Sequence, residues 1–301
     1  MNSKPRTALL ILLVGAVGAQ SGDVLYNGIE LPDEWPPRDV SFSRIQAGDP
    51  PPPPPYLAAP PELIPIDVGR QLFVDDFLIE QTSLKRAFHR PEYYEGNPIL
   101  KPDMPWETHS RLGPMLAPFS GGVFWDPSDG IFKMWHMSGY NYFAGLSHSR
   151  DGLNWTRPKL GVKGDSNIIA IPNNELHGVW LDLEEKDPER RYKMVWHRSG
   201  DYSAAVSSDG VHWNRLKKLG RSGDRCSLGY NPFRGVWIYS LRHGWGKPRA
   251  RRYAESKIFG DANWHENPPP FWTGADRLDG MRQELRTPPQ LYNLDCAPYE
   301  A

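Results

Sequence analysis

The sequence predicts an all-β chain built from repeated four-stranded antiparallel sheets, the architecture of a β-propeller. Three observations lead there. Residue strings recur at a nearly constant interval. Each string reads strand, turn, strand, with the turn chemistry that joins antiparallel neighbours. The composition is rich in strand and turn residues, with 12 Trp, 13 Tyr, 11 Phe, 28 Gly and 31 Pro. Aromatic residues favour strands and also stack on sugars, whereas Gly and Pro punctuate turns.

The repeat is read directly. Ser149-Arg-Asp-Gly-Leu-Asn-Trp155 recurs 58 residues on as Ser207-Ser-Asp-Gly-Val-His-Trp213. Phe132-Lys-Met-Trp-His136 is matched 60 residues on by Tyr192-Lys-Met-Val-Trp-His197. Val123-Phe-Trp-Asp126 is matched 56 residues on by Val179-Trp-Leu-Asp182. A weaker third copy runs through Leu228-Gly-Tyr-Asn-Pro-Phe-Arg-Gly-Val-Trp-Ile-Tyr-Ser240, and Ser256 to Trp264 replaces its Asp-Gly-Trp ending. The copies span 119–155, 177–213 and 226–264. Each is expected to place a Trp on a fourth strand. One sheet cannot bury both its faces alone, so neighbouring copies must pack together. Gln71 to Ile79 reads as a strand or hairpin arm, and Phe73 to Leu100 as parts of another blade. Leu285 to Ala301 reads as the opening of a further blade, which makes the domain incomplete at its C-terminus.

The N-terminus reads as an export signal. Lys4 and Arg6 precede an apolar run from Ala8 to Val17, and Val17-Gly18-Ala19 suits cleavage after Ala19. The expected layout is a signal peptide over 1–19, a Pro-rich tether over 20–65 kept out of the core, and a propeller domain over 66–301. The protein is then secreted or periplasmic, with no membrane span after signal cleavage. Lys+Arg number 35 and Asp+Glu 36, and this balance argues against a nucleic-acid partner. The two cysteines, Cys226 and Cys296, are free to pair or to stay apart. Nothing matches a phosphate loop, a zinc motif or a Ser-His-Asp elbow, so no cofactor is expected. A structural Ca²⁺ held by oxygen ligands is compatible with the sequence but not demanded by any spacing.

The layout resembles the five-bladed propeller glycoside hydrolases, the superfamily of invertases, levansucrases and arabinanases, and loosely glycoside hydrolase family 32. The residues that carry the resemblance are Asn97-Pro-Ile-Leu100 with Pro105-Trp-Glu107, the unit from Gly122 to Trp135, and the Ser-x-Asp-Gly-x-x-Trp endings. It covers residues 66–301 and implies five blades, an oligo- or polysaccharide partner, and hydrolysis by paired carboxylates at the mouth of a central funnel.

Acids at the starts of inner strands are then the candidates. Glu300 resembles in position the general acid of such enzymes; the alternative is a solvated acid at a chain end. Asp224, beside Arg225, takes the place of the transition-state-stabilising Asp; the alternative is a structural ion pair. Asp75 and Asp76 sit in the expected entry strand, where alternation points one of them inward as nucleophile or base; the alternative is an edge-strand acid. His177 either holds a sugar hydroxyl or is a structural histidine. Trp106, Glu107, His109 and Arg111 cluster before the first copy and could line a subsite, with Arg225 as a further substrate contact. Asp126, Asp182, Asp151 and Asp209 read as turn formers, and Lys217-Lys218 and Arg249 to Arg252 as solvated basic runs.

Two functional classes follow, a glycoside hydrolase and a non-catalytic propeller that binds carbohydrate or protein. A sialidase-like enzyme is a third, since the endings look like a shifted Asp-box, but six blades exceed this length. Three carboxylates facing one cavity favour hydrolysis. A funnel of His, Arg and aromatics with at most one acid favours binding.

Overall fold

The computed structural model describes residues 24–37, 40–67, 71–109, 113–118, 120–171, 175–244 and 248–298, without the side chains of 175–177. Three short helices, α1 (Phe42–Ala47), α2 (Pro55–Ala58) and α3 (Pro105–Thr108), precede three antiparallel sheets. The first sheet holds β1 (Leu116–Ala117), β2 (Val123–Asp126), β3 (Ile131–Ser138), β4 (Phe143–Ser149) and β5 (Trp155–Thr156). Both β1 and β2 pair with β3, Leu116 facing Ser138 and Val123 facing Met134, so they form one interrupted edge strand. The interruption needs glycine: a Cβ on Gly121 would lie 2.5 Å from the carbonyl oxygens of Pro118 and Trp135.

The second sheet runs in sequence order through β6 (Glu175–Leu181), β7 (Tyr192–Arg198), β8 (Asp201–Ser207) and β9 (Asn214–Arg221). The third does the same through β10 (Ser227–Asn231), β11 (Val236–His243), β12 (Ala250–Ser256) and β13 (Phe271–Gly274). Strand β6 lies between β2 and β10: Val179 N donates to Gly121 O at 3.2 Å, and Gly178 abuts Leu228. The inner edges of the three sheets therefore adjoin, as propeller blades do.

The second sheet is buried on both faces. Met194 and Ala205 join Trp135, Leu146 and Trp196 on one side, and Val195 and Ala204 join Tyr202, Trp237 and Tyr239 on the other. Strand alternation sends consecutive apolar residues to opposite cores, which is why these middle strands carry near-continuous hydrophobic runs. The two Asp-Gly turns close with matching bonds. Ser149 Oγ and Ser207 Oγ each donate to the aspartate two residues on at 3.0 Å, and accept from Gly152 N and Gly210 N at 2.8 and 2.9 Å.

The structure departs from the sequence expectations in four places. Residues 71–100 form no strand, so the entry strand and a blade from Phe73 to Leu100 are absent there. Their β-forming residues remain exposed, among them Phe73, Val74 and Phe88, because strand propensity without a pairing partner does not build a strand. Trp264 is not on the fourth strand of its sheet, which is β13. It crosses instead to β9, donating its backbone N–H to Leu219 O at 2.8 Å and its indole N–H to Arg221 O at 3.0 Å. In the second sheet, too, the fourth strand begins after Trp213. Part of the 20–65 segment is docked: Val40 and Ile45 are buried against Ala250, with Phe42 and Phe271 packed alongside.

Among the described residues no helix is long and apolar enough to cross a membrane. The expected signal peptide over 1–19 lies outside the described residues.

Candidate functional site

The inner strands β1, β6 and β10 all start at one rim. The same rim carries the ends of β3, β7 and β11 and the loops that enter the next sheet, because neighbouring strands are antiparallel. Between the second and third sheets this rim opens into a cleft of about 1040 Å³. The β7–β8 turn (Ser199, Gly200), the end of β9 (Arg221 to Gly223) and the end of β11 (Leu241 to Gly244) form its floor and walls. Helix α1 contributes Phe42, which stacks on Phe271 at 5.4 Å and meets the His243 ring edge-on at 5.0 Å.

Asp224 stands beside this cleft, in the connection from β9 to β10. Its carboxylate forms an ion pair with Arg242 and accepts from the Tyr292 hydroxyl at 2.7 Å. Burial by itself raises the Asp224 pKa. The Tyr292 hydrogen bond and the charges of Arg242 and Arg225 outweigh it, and the net shift is downward. Asp224 is thus held ionised, a state suited to stabilising positive charge or holding a hydroxyl, and unsuited to donating a proton. Three guanidinium groups surround the Tyr292 ring, those of Arg249, Arg242 and Arg225, at 4.4, 5.7 and 6.0 Å.

Arg251, on β12, holds these pieces in place. It is fully buried and donates to the Arg225 carbonyl at 2.9 Å, the Tyr292 carbonyl at 3.0 Å, and the Ser240 carbonyl and hydroxyl at 2.7 and 2.8 Å. One guanidinium therefore ties the Asp224 connection to the Tyr292 segment. The basic run Arg249 to Arg252 is accordingly not solvated. Alternation along β12 turns Arg251 into the core, and Arg252 packs over the Phe271 ring at 3.8 Å.

At the first sheet the rim is aromatic. Trp106, on α3, donates its indole N–H to Asn167 Oδ1 at 2.8 Å, and the exposed His109 ring lies 5.7 Å from Tyr142. Glu107 is fully buried and bonded to Arg157 through both carboxylate oxygens at 2.6 and 2.8 Å, so it anchors the loop. His136 is buried between Ser147 and Ser138, at 2.9 and 3.2 Å.

Asp224, Arg225, Trp106 and His109 thus all lie at the rim. Asp75 and Asp76 are not brought to it. They lie in the exposed 71–100 segment, where Asp75 accepts from Phe77 N at 3.0 Å and Asp76 pairs with Arg86. With no strand there, alternation has nothing to act on. Arg111 and Glu300 lie outside the described residues. His177 is the extra residue of a bulge in β6 between Leu176 and Gly178, and its side chain is likewise outside them. Cys226 and Cys296 are unpaired thiols. No group of three or more His, Cys, Asp or Glu side chains that could hold a metal gathers among the described residues.

Sequence reasoning did not single out Arg242, His243, Arg251, Tyr292 or Phe42. A signal existed for the second-strand positions, since the Lys-Met-Trp-His strings put a basic or imidazole side chain near the rim end of β3 and β7.

No protein-family model matches the chain, and the curated proteins contain no match. Solved structures do match. A fructofuranosidase variant from Schwanniomyces occidentalis, complexed with fructosylnystose, is 12% identical with a TM-score of 0.35; the match covers 48% of this chain and 32% of that one. A family 32 β-fructofuranosidase from Bombyx mori is 14% identical with a TM-score of 0.32, covering 52% of this chain and 36% of that one. A member of glycoside hydrolase family 130, described with hydrolases that target β-1,2 mannosidic linkages in Candida mannan, is 19% identical with a TM-score of 0.32, covering 60% of this chain and 56% of that one. The matched region thus spans between about a third and just over half of those proteins, and the chain is similar to glycoside hydrolases over roughly that extent.

Proposed function

We propose that this chain is an exported, carbohydrate-binding propeller of the five-bladed glycoside-hydrolase architecture, with the three sheets as three of its blades. An oligo- or polysaccharide occupies the rim cleft between the second and third sheets. The observation that carries this reading is the makeup of the cleft. Arginines, imidazoles and the Phe42 ring line it, no carboxylate is among its described lining residues, and Asp224 stands at its edge. Glycosidic hydrolysis needs a second carboxyl group, about 5 Å away for a retaining pair or roughly 6.5–9.5 Å for an inverting one. Among the described residues, none of the other expected acids reaches this place.

Hydrolysis is the second reading, and the position of Tyr292 favours it. The segment after Tyr292 runs beside β10, with Ser227 Oγ donating to Leu294 O at 2.6 Å and the Cys296 carbonyl lying against Gly229. Glu300, the expected general acid, follows this segment in the sequence and lies outside the described residues.

One experiment separates the two readings. Purified protein is titrated calorimetrically with oligosaccharides while release of reducing ends is followed. Binding without release, weakened by Asp224→Asn, supports the binding protein. Release that Glu300→Gln lowers by about 10²–10⁴-fold supports the hydrolase. Absence of binding to any saccharide overturns both.

A further inference from the structure

We propose that the saccharide taken by this cleft is acidic, carrying carboxylate or sulfate groups. The inference rests on the carbohydrate-binding reading and adds the substrate class. Its basis is charge segregation. The chain as a whole is balanced, with 35 Lys and Arg against 36 Asp and Glu. The cleft is not: the arginines Arg221, Arg242 and Arg252 line it beside the imidazoles of His197, His243 and His265, and no carboxylate is among its described lining residues.

The asymmetry continues beyond the cleft. Ser199, in the β7–β8 turn, also lines an adjoining groove of about 400 Å³. That groove carries Arg198, Arg215, Lys217 and Lys218, with Asp201 as its carboxylate, already bonded to Lys218 at 2.6 Å. Cleft and groove therefore adjoin at the β7–β8 turn and form one cationic surface across the edge of the second sheet.

Several of these cations are held in position. The Arg252 guanidinium lies over the Phe271 ring at 3.8 Å and donates to the Pro269 carbonyl. Arg215 lies 5.9 Å from the Trp196 ring. Aromatic support of this kind fixes a planar, delocalised cation without neutralising it. Asp224 compensates Arg242, Asp201 pairs with Lys218 and Asp261 lies 3.6 Å from Lys217, so the arginines Arg198, Arg215, Arg221 and Arg252 carry most of the surplus charge. A planar guanidinium bonds carboxylate and sulfate oxygens in pairs, and such charge-assisted bonds are about twice as strong as neutral ones. A neutral sugar would leave these donors facing hydroxyls alone.

The test uses the whole chain and four hexameric probes: oligogalacturonate for carboxylate, a heparin-derived oligosaccharide for sulfate, a neutral malto-oligosaccharide, and single-stranded DNA. The expected result is that at least one acidic saccharide binds more tightly than the neutral one, and that its affinity falls as salt rises. The preferred acidic probe identifies the group recognised. The double variant Arg221→Gln/Lys217→Gln, at two exposed positions, should weaken that binding by about 10-fold or more while leaving the thermal midpoint unchanged. Equal binding of the neutral and acidic saccharides overturns the inference and leaves carbohydrate binding standing. Equal binding of DNA with the same salt dependence also overturns it, by showing a general polyanion surface. Failure of all three saccharides removes the underlying functional reading as well.

Discussion

Asp126 and Arg251 show how buried charge is used in this protein. Asp126 forms the turn after β2, accepting from Ser128 N at 3.0 Å, but it also joins two sheets. Lys133 donates to it at 2.9 Å, Arg191 at 2.6 Å and the Tyr192 hydroxyl at 2.5 Å. Burial alone raises its pKa, yet the bonds from Lys133 and Tyr192 and the charge of Lys133 bring it down to about 2, below the ordinary 3.8. The folded form therefore gains stability from Asp126 that is fully present above about pH 4 and is lost as pH falls through about 2. Asp126→Asn should cost about 3 kcal/mol in urea unfolding, because Lys133 stays buried with Asp129 as its remaining carboxylate. An unchanged midpoint would mean that only the turn role matters. Arg251→Met should cost a similar amount, since it leaves the Arg225, Tyr292 and Ser240 carbonyls without their donor, at about 1–3 kcal/mol for each that stays dry. It should also loosen saccharide binding, because Asp224 and Tyr292 lose their common support. Weaker stability with intact affinity would show that the Asp224–Tyr292 pair holds itself together.

Among the elements, the Asp-Gly turns have matching local bonds but different neighbours. Both Gly152 and Gly210 have φ of +74°, a left-handed conformation that disfavours a side chain. A Cβ on Gly152 would meet only Phe132, at 4.0 Å, whereas one on Gly210 would lie 2.7 Å from the Trp135 ring. Trp135 is fully buried and donates its indole N–H to the Gly210 carbonyl at 2.9 Å, so this turn is a joint between the first and second sheets. Gly152→Ala should therefore cost about 1–2 kcal/mol from backbone strain. Gly210→Ala should cost about 1–3 kcal/mol more, from overpacking. Paired denaturant titrations would check the difference, and equal costs would mean that Trp135 moves aside freely.

For the molecule as a whole, buried and half-buried histidines shape the response to mild acid. Burial lowers the pKa of His136, His148 and His243, and the charge of Arg157 helps to bring His136 to about 4. Their unfolded forms take up a proton near 6.5, the ordinary value, before the folded forms do. Stability is then full above about pH 6.5 and falls as pH drops toward 4. Thermal midpoints at pH 7.5, 6 and 5 should decline in that order, and His136→Asn should flatten the decline even if it lowers the starting value. A profile with the same slope in the variant would remove His136 as a contributor.

What the sequence determined by itself is mostly local. The repeated strand strings of β3, β7 and β11, the Asp-Gly turns and the turn residues Asp126 and Asp182 are short-range features. They suffice to specify antiparallel sheets and much of the strand order. Asp224 and Arg225 were also legible, because their position just before an inner strand can be counted along the chain. What the tertiary structure decided is where separate segments meet. The strand-forming residues of 71–79 stay exposed, since propensity cannot supply a pairing partner. Phe42 leaves a proline-rich segment to wall the cleft, and Trp264 crosses to β9 to find acceptors for its N–H groups. Arg251 turns inward from a run of basic residues because three carbonyls from distant segments converge on it. These outcomes depend on contacts between residues far apart in the chain, as in Trp264 to Leu219 and Arg221 or Phe42 to Phe271, and no local pattern encodes such partners.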